Sequence, residues 1–325
     1  MKLIGFDIGG TKCAVSLGEA AEGRARVLAR RQIPTPARWQ DALDRLFSLA
    51  DELLSGERPD ACGFSCGGPL DAEKGLVLSP PNLPGWDRVP LTALAARRFD
   101  APCFLENDAN ACALAEWRWG AGQGSRNMAF LTFGTGLGAG LILEGRLIRG
   151  ANGNAGEAGH IRLSPFGPAG YGKEGSFEGF CSGDGIAQLA ATLGRRALQN
   201  GVRPAYYEGS WDAVTAKSVA GAANAGDETA RAVFGLCGEK LGEGLSVLID
   251  ILNPEVIVIG SVFARCEALL RPAMERAMKR ECLGASLAAA RVVPAALGEA
   301  IGDFAALCAA EYGLAEHAAA QGATK

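Results

Sequence analysis

The sequence predicts an α/β protein of two related lobes. Apolar, strand-like runs alternate with segments of helical periodicity, the pattern of an α/β fold. A strand, a glycine-bearing turn and a second strand open the chain, and the same unit returns about 125 residues later. At 325 residues the chain is long enough for two lobes. No low-complexity linker divides it, so a boundary near residue 120 reads as a hinge. The expected units are residues 1–120, residues 121–300 and a C-terminal helix over 301–325.

The elements follow in order. "LIGFDIGGTKCAVSLGE" has two apolar runs around a Gly-Gly turn and predicts a β-hairpin, and "RVLARRQIPT" adds a third strand. "WQDALDRLFSLADELLSG" carries apolar residues at helical spacing and ends on glycine, which predicts a helix. "ACGFSCGGP" and "APCFLEND" read as buried strands, the second running into a helix at "ANACALAEWRWGAG". From Met128, "MAFLTFGTGLGAGLILEGRLIRG" repeats strand, turn, strand and a short third strand. A helix-rich stretch from Gly185 to Asp250, a strand at "EVIVIGSV" and a helix at "GDFAALCAAEYGLAEHAAAQG" complete the chain.

Bulk properties remove several function classes. With 32 basic and 36 acidic residues the net charge is −4 and no basic block stands out, which argues against a nucleic-acid binder. No apolar run reaches the roughly 18 residues that cross a bilayer. "MKLIGFDIGG" goes straight into an Asp-bearing strand and does not read as a signal peptide. Most of the ten cysteines stand singly among apolar or small residues and none forms a CxxC, so a reduced, cytoplasmic protein is expected.

Two glycine turns are candidate anion sites: "DIGGTK", Asp7 to Lys12, and "GTGLG", Gly134 to Gly138. Glycine lets backbone amides approach an anion, and each turn adds a threonine hydroxyl. Either is equally a tight hairpin turn. Neither is a P-loop, and "GTGLGA" lacks the helix that a dinucleotide site needs after the turn. Asp7 is placed to hold a hydrated Mg²⁺, or to stabilise its turn. In "FLENDANACALAE", Asn107 and Asp108 stand between strand and helix. Either is a helix N-cap or, for Asp108, a base that accepts a proton from an attacking hydroxyl. "GEAGHIRLSPFGPAGYGKEGSFEGFCSG" sets His160, one of two histidines, between Glu157 and Glu178. That stretch alone fits a metal ligand, an acid or base, or a clamp.

"GFDIGGTK", "PNLPGW", "ENDANACALAE", "FGTGLGAGLILEG" and "GEAGH" occur in the order seen in ROK-family sugar kinases, and the chain resembles that family from Ile4 to the helix near Gly302. The resemblance implies a two-lobed fold similar to actin and hexokinase (ribonuclease-H-like), with ATP and sugar meeting between the lobes. It implies that Asp108 is the general base. Asn107, Glu157, His160 and Glu178, with Asn82 and Gly68, would hold the sugar. Asp7, Gly9, Gly10, Thr11 and Lys12, with Thr135 and Gly136, would surround the phosphates and Mg²⁺, and Gly260 and Ser261 would lie near the adenosine. The last helix would return to the first lobe, and the protein would be a homodimer. The implied activity is ATP-dependent phosphorylation of a free hexose, foremost glucose at O6. Fructose, mannose, allose and N-acetylhexosamines, or a sugar-binding sensor without turnover, are the alternatives. Family repressors carry an added N-terminal DNA-binding domain, whereas this sequence opens on the kinase lobe's first strand.

Two departures stand out. Many members bind zinc through three cysteines after the GEAGH-type histidine; the corresponding positions here are Ala169, Tyr171 and Ser176, so no structural zinc is expected. Tyr171, Phe177 or Ser176 would then have to orient His160. In "VIGSV", Ser261 stands where members more often have a further glycine.

Overall fold

Each of the expected hairpins lies at the heart of a five-stranded mixed sheet in the computed structural model, which describes residues 1–21 and 23–322. The first sheet begins with β1 (Lys2–Ile8), β2 (Lys12–Ala21) and β3 (Arg24–Pro34). Helix α1 (Trp39–Leu54) crosses to β4 (Ala61–Cys66). A small sheet of β5 (Leu70–Asp71), β6 (Leu76–Val77) and β7 (Val89–Pro90) precedes α2 (Leu91–Phe99) and β8 (Cys103–Asn107). Helix α3 (Asp108–Trp119) then leads into the second sheet through β9 (Met128–Leu131), β10 (Ala139–Leu143) and β11 (Arg146–Leu147).

A two-stranded hairpin, β12 (Ala169–Gly170) with β13 (Lys173–Glu174), and α4 (Phe177–Phe180) precede three longer helices. These are α5 (Gly183–Gln199), α6 (Ala216–Asn224) and α7 (Glu228–Leu252). Strand β14 (Val256–Ile259), α8 (Val262–Glu281), α9 (Gly284–Ala289), β15 (Arg291–Pro294) and α10 (Ile301–Gly322) complete the fold.

The repeat read from the sequence is real in three dimensions. The first sheet has the order β3-β2-β1-β4-β8 and the second β11-β10-β9-β14-β15. In both, the first three strands pair antiparallel and the last two join in parallel. The parallel steps need crossover helices, which α1 and α2 supply in one sheet and the helix-rich stretch, followed by α8 and α9, in the other. Helix α1 stops one residue before the glycine signal: Ser55 takes the left-handed cap at φ 51° and Gly56 follows at φ 85°. Helices α2, α4, α8 and α9 are not among the elements expected from the sequence. α8 contains Pro272, which reads in sequence as a helix breaker, and non-helical angles at Cys266.

Two faces of the first sheet differ in residue size, and this sets the place of α10. Ile4, Phe6, Ile8, Val15, Phe64 and Cys66 pack toward α1 and α2, with Phe6 stacked on Phe64 at 4.6 Å. The other face offers Gly5, Ser16 and Gly63 in register. A side-chain carbon at Gly5 would sit 2.8 Å from the Leu307 amide, and one at Gly63 would fall on the Ala306 carbonyl. Only glycine lets the alanine-rich α10 lie against these strands of the first sheet. The rest of the expected 301–325 helix, residues 323–325, lies outside the described residues. All ten cysteines are free thiols. Among the described residues no helix is long and apolar enough to cross a membrane.

Candidate active site

The DIGGTK turn joins β1 to β2, and its residues Gly10, Thr11 and Lys12 are exposed. Backbone geometry holds it: the Gly9 amide donates to the Lys12 carbonyl at 3.1 Å, and the Thr35 hydroxyl donates to the Gly9 carbonyl at 2.6 Å. Thr35, absent from the sequence reading, thus clamps the turn from β3's end. A side-chain carbon at Gly10 would come within 2.8 Å of Asn82 Cβ, which places PNLPGW directly beside this turn. Leu83 and Trp86 anchor that loop at 2% and 1% exposure and leave Asn82 at the surface.

Asp7 lies one strand row below the turn, level with Ser65 on β4 and Glu106 on β8. Burial, followed by the carboxylates of Asp303 and Asp108, pushes its carboxyl up to about 6, against the pull of Lys12 and Arg30. Asp303, on α10, accepts from Ser16 Oγ at 2.7 Å and Arg30 Nε at 2.8 Å. A partly buried carboxylate repelled by two others is a group whose charge a divalent cation would stabilise, and hard oxygen ligands suit Mg²⁺.

Asn107 is the N-cap of α3: its Oδ1 accepts from the amides of Ala109 and Asn110 at 3.0 and 3.4 Å. The capping alternative therefore holds for Asn107, while Nδ2 stays on the side of Gly68, whose side-chain position lies 3.6 Å away. Asp108 is the first residue of the helix, exposed, with Oδ1 accepting from the Ala109 amide at 2.8 Å. Although solvent reaches it, the surrounding protein raises its carboxyl above the ordinary value by desolvation. The amides of Ala109 and Asp108 and the Asn107 side chain act the other way. Its Oδ2 faces Gly67, at 3.9 Å from that residue's side-chain position.

The second turn is built symmetrically. The Gly134 amide donates to the Gly136 carbonyl at 3.1 Å, Thr132 Oγ1 accepts from Gly138 at 2.7 Å, and Thr135 is exposed. Glu178 reaches it: Oε2 accepts from the Leu137 amide at 2.9 Å and lies 2.7 Å from where Gly136 would carry a side chain. Gly260 and Val262 donate to Leu131 and Phe133, at 3.0 and 2.8 Å, so Ser261 sits beside Gly134. Ser261 adopts φ 57°, ψ −113° as the N-cap of α8, a region natural to glycine. Glu157 and His160 are exposed on one 3₁₀ turn whose Gly159 abuts the Leu137 carbonyl. Ala109, next to Asp108, lies against Gly138, so the second turn, α3 and the GEAGH segment surround one region, and the charge of Asp108 reaches Asp7 below the first turn.

The loop after His160 does not work as the sequence suggested. Tyr171 tips the β12–β13 hairpin at 77% exposure, Phe177 is buried in the core, and Ser176 Oγ accepts from the Gly179 amide as the cap of α4. Instead, Lys173 Nζ donates to the His160 carbonyl at 2.6 Å. The residues present do not fit a closed zinc site. Cys181, the next thiol along, is buried and donates toward the Cys237 carbonyl in the core.

Another carboxylate escaped the sequence reading. Glu116, fully buried on α3, accepts from the amides of Ala121, Ala296 and Leu297 at 2.7, 3.2 and 2.9 Å, tying α3 to the approach to α10.

Known proteins resemble this chain over most of its length. The glucokinase of Thermotoga maritima is 34% identical over 284 residues, which cover 85% of this chain and 87% of that protein. The DNA-binding transcriptional dual regulator NagC of Escherichia coli is 30% identical, with 93% of this chain and 74% of the regulator covered. The crystal structure of a ROK family glucokinase from Streptomyces griseus, in complex with glucose and AMPPNP, superposes with a TM-score of 0.78 at 32% identity, over 96% of this chain and all of that one. The two-lobed fold is shared, and the sequence matches the ROK family over residues 3–311. The chain belongs to the ROK family.

Proposed function

We propose that this protein is an ATP-dependent hexose kinase that phosphorylates glucose at O6, with Asp108 as general base. The observation that carries the reading is the position of Asp108. It stands at the carboxyl end of a strand and at a helix N-terminus, open to solvent, and near enough to Asp7 for its charge to raise the Asp7 carboxyl. Its raised carboxyl makes it a stronger base than an ordinary aspartate. In the reaction, Asp108 takes the proton of the sugar hydroxyl as that oxygen bonds to the γ-phosphorus, and the bond to the ADP oxygen breaks.

The chain's other residues bind and orient. Asn107 Nδ2, Asn82, Glu157, His160 and Glu178, with the Gly68 backbone, hold ring hydroxyls by a mix of donors and acceptors. The Gly9 backbone, the amides of Gly10 and Gly136, the hydroxyls of Thr11 and Thr135, and Lys12 surround the phosphates, with Gly260 and Ser261 toward the adenosine. Asp7 would hold Mg²⁺ through water, and a bound ion would supply neutralisation of charge on the phosphoryl oxygens. The free thiols suit a reducing cytoplasm.

The Streptomyces glucokinase bound to glucose and AMPPNP supports the choice of substrates. Similarity to a transcriptional regulator favours one second reading, a sugar-responsive protein without turnover. ADP release measured with glucose, fructose, mannose, allose, N-acetylglucosamine and N-acetylmannosamine separates the two. Hexose-dependent turnover highest with glucose is expected. Sugar binding with no ADP release from any of them refutes the kinase reading.

A further inference from the structure

Beside the proposed base lies a half-buried ion pair that neither the binding nor the proton transfer described above uses. Glu106, at 4% exposure, precedes the capping Asn107 on β8. Its Oε1 accepts from the Asn107 amide and from Asn110 Nδ2, both at 3.0 Å. Its Oε2 accepts from Arg149 Nε at 2.9 Å. One carboxylate therefore fixes the backbone just before Asp108 and the first turn of α3.

Arg149 belongs to the other sheet's side of the molecule. It follows β11 and opens the segment that carries Glu157 and His160, and its carbonyl accepts from the Ala155 amide at 3.1 Å, closing the base of that loop. Its guanidinium also reaches Glu316 on α10 at 3.0 Å and lies over the Tyr312 ring at 5.9 Å. A planar fork holds two carboxylates at once in a fixed geometry, which a single ammonium point charge does not impose. Loss of the arginine would leave Glu106 buried and unpaired, a costly state that the chain relieves by moving.

We propose that Glu106 and Arg149 are positioning residues: their ion pair couples the Asn107–Asp108 end of β8 to the loop bearing Glu157 and His160, and so sets the spacing between the base and the far side of the sugar site. The proposal rests on the hexose-kinase reading for its catalytic consequence, but the coupling itself is physical and measurable without turnover.

Four variants test it: Arg149→Met, Arg149→Lys, Glu106→Gln and the double Glu106→Gln/Arg149→Met. Arg149→Met should raise the hexose KM by about ten- to a hundred-fold, the scale of a small misplacement of substrate, while the ATP KM stays unchanged. Arg149→Lys should recover part of the loss, and the double variant should be no worse than the poorer single one, because both remove the same interaction. A merely structural role would lower the melting temperature and leave the hexose KM of the folded enzyme as it was. Hydrogen exchange provides the second readout: amides of residues 149–157 and 107–110 should exchange faster in Arg149→Met than in the wild type. If the wild type turns over no hexose, the kinase reading falls and the exchange result alone decides the coupling. Unchanged exchange, or an unchanged hexose KM in an active background, overturns the proposal.

Discussion

Replacing Asp7 with Asn should stabilise the ligand-free protein above neutral pH while removing its catalysis. The Asp7 carboxyl is raised from 3.8 to about 6, by burial first and by Asp303 and Asp108 next. The folded chain thus binds this proton more tightly than the unfolded chain. Stability from this group is present in full below the unfolded value and is lost as pH rises through the folded value. A shift of about two units is equivalent to about 3 kcal/mol, which is the ceiling on what the buried charge costs. Asparagine keeps the shape without the charge, so a gain of about 1–3 kcal/mol is expected at about pH 8.

Urea denaturation in the presence of a chelator measures the gain. The gap between variant and wild type should shrink toward about pH 4, where the wild-type carboxyl is protonated. Mg²⁺ and ATP together should stabilise the wild type more than the variant. An Asp7→Asn protein less stable than wild type at the higher pH, or a gap that does not change with pH, refutes this account of the electrostatics.

Three further substitutions test other contacts. Glu178→Ala removes the acceptor of the Leu137 amide, so steady-state kinetics should show the hexose and ATP KM values both rising, by about ten-fold or more; a change confined to hexose would place Glu178 on the sugar alone. Lys173→Met frees the His160 carbonyl and should raise the hexose KM about ten-fold, the worth of one charge-assisted hydrogen bond. With only two histidines in the chain, the His160 ring resonances are assignable, and they should shift in this variant; unaltered resonances would contradict the role of Lys173. Ser261→Gly relieves a backbone held at φ 57° and should stabilise the protein by about 1 kcal/mol in denaturant; no gain would mean that the serine side chain compensates for its conformation.

The parts of the fold legible in the sequence were those set by local signals. Glycine turns between alternating apolar runs gave both hairpins, and their recurrence anticipated the matching strand orders of the two sheets. Asn107 and Asp108 were legible as a strand-to-helix junction, though only coordinates separate the residue that caps from the one left open to solvent. What could not be read were bonds between distant residues. Glu178 meets Leu137 across 41 positions, Glu116 meets Leu297 across 181, and Glu106 meets Arg149 across 43. Nothing in the local pattern of a carboxylate tells which distant amide or guanidinium it will find. Lys173 was passed over for the same reason: in sequence it is one more polar residue of a turn, and only the hairpin folds it back to His160. Ser261 is the reverse case, since its departure from glycine was visible and the strained φ explains what that departure costs.

The central claim is that Asp108 is the base of a hexose kinase. Hexose-dependent ADP formation by wild type and Asp108→Asn, with hexose affinity followed by calorimetry, tests it most directly. The account predicts turnover by the wild type, a fall of about 10²–10⁴-fold in the variant, and unchanged hexose binding. Wild-type rates in Asp108→Asn, or no turnover by the wild type with any hexose, would contradict it.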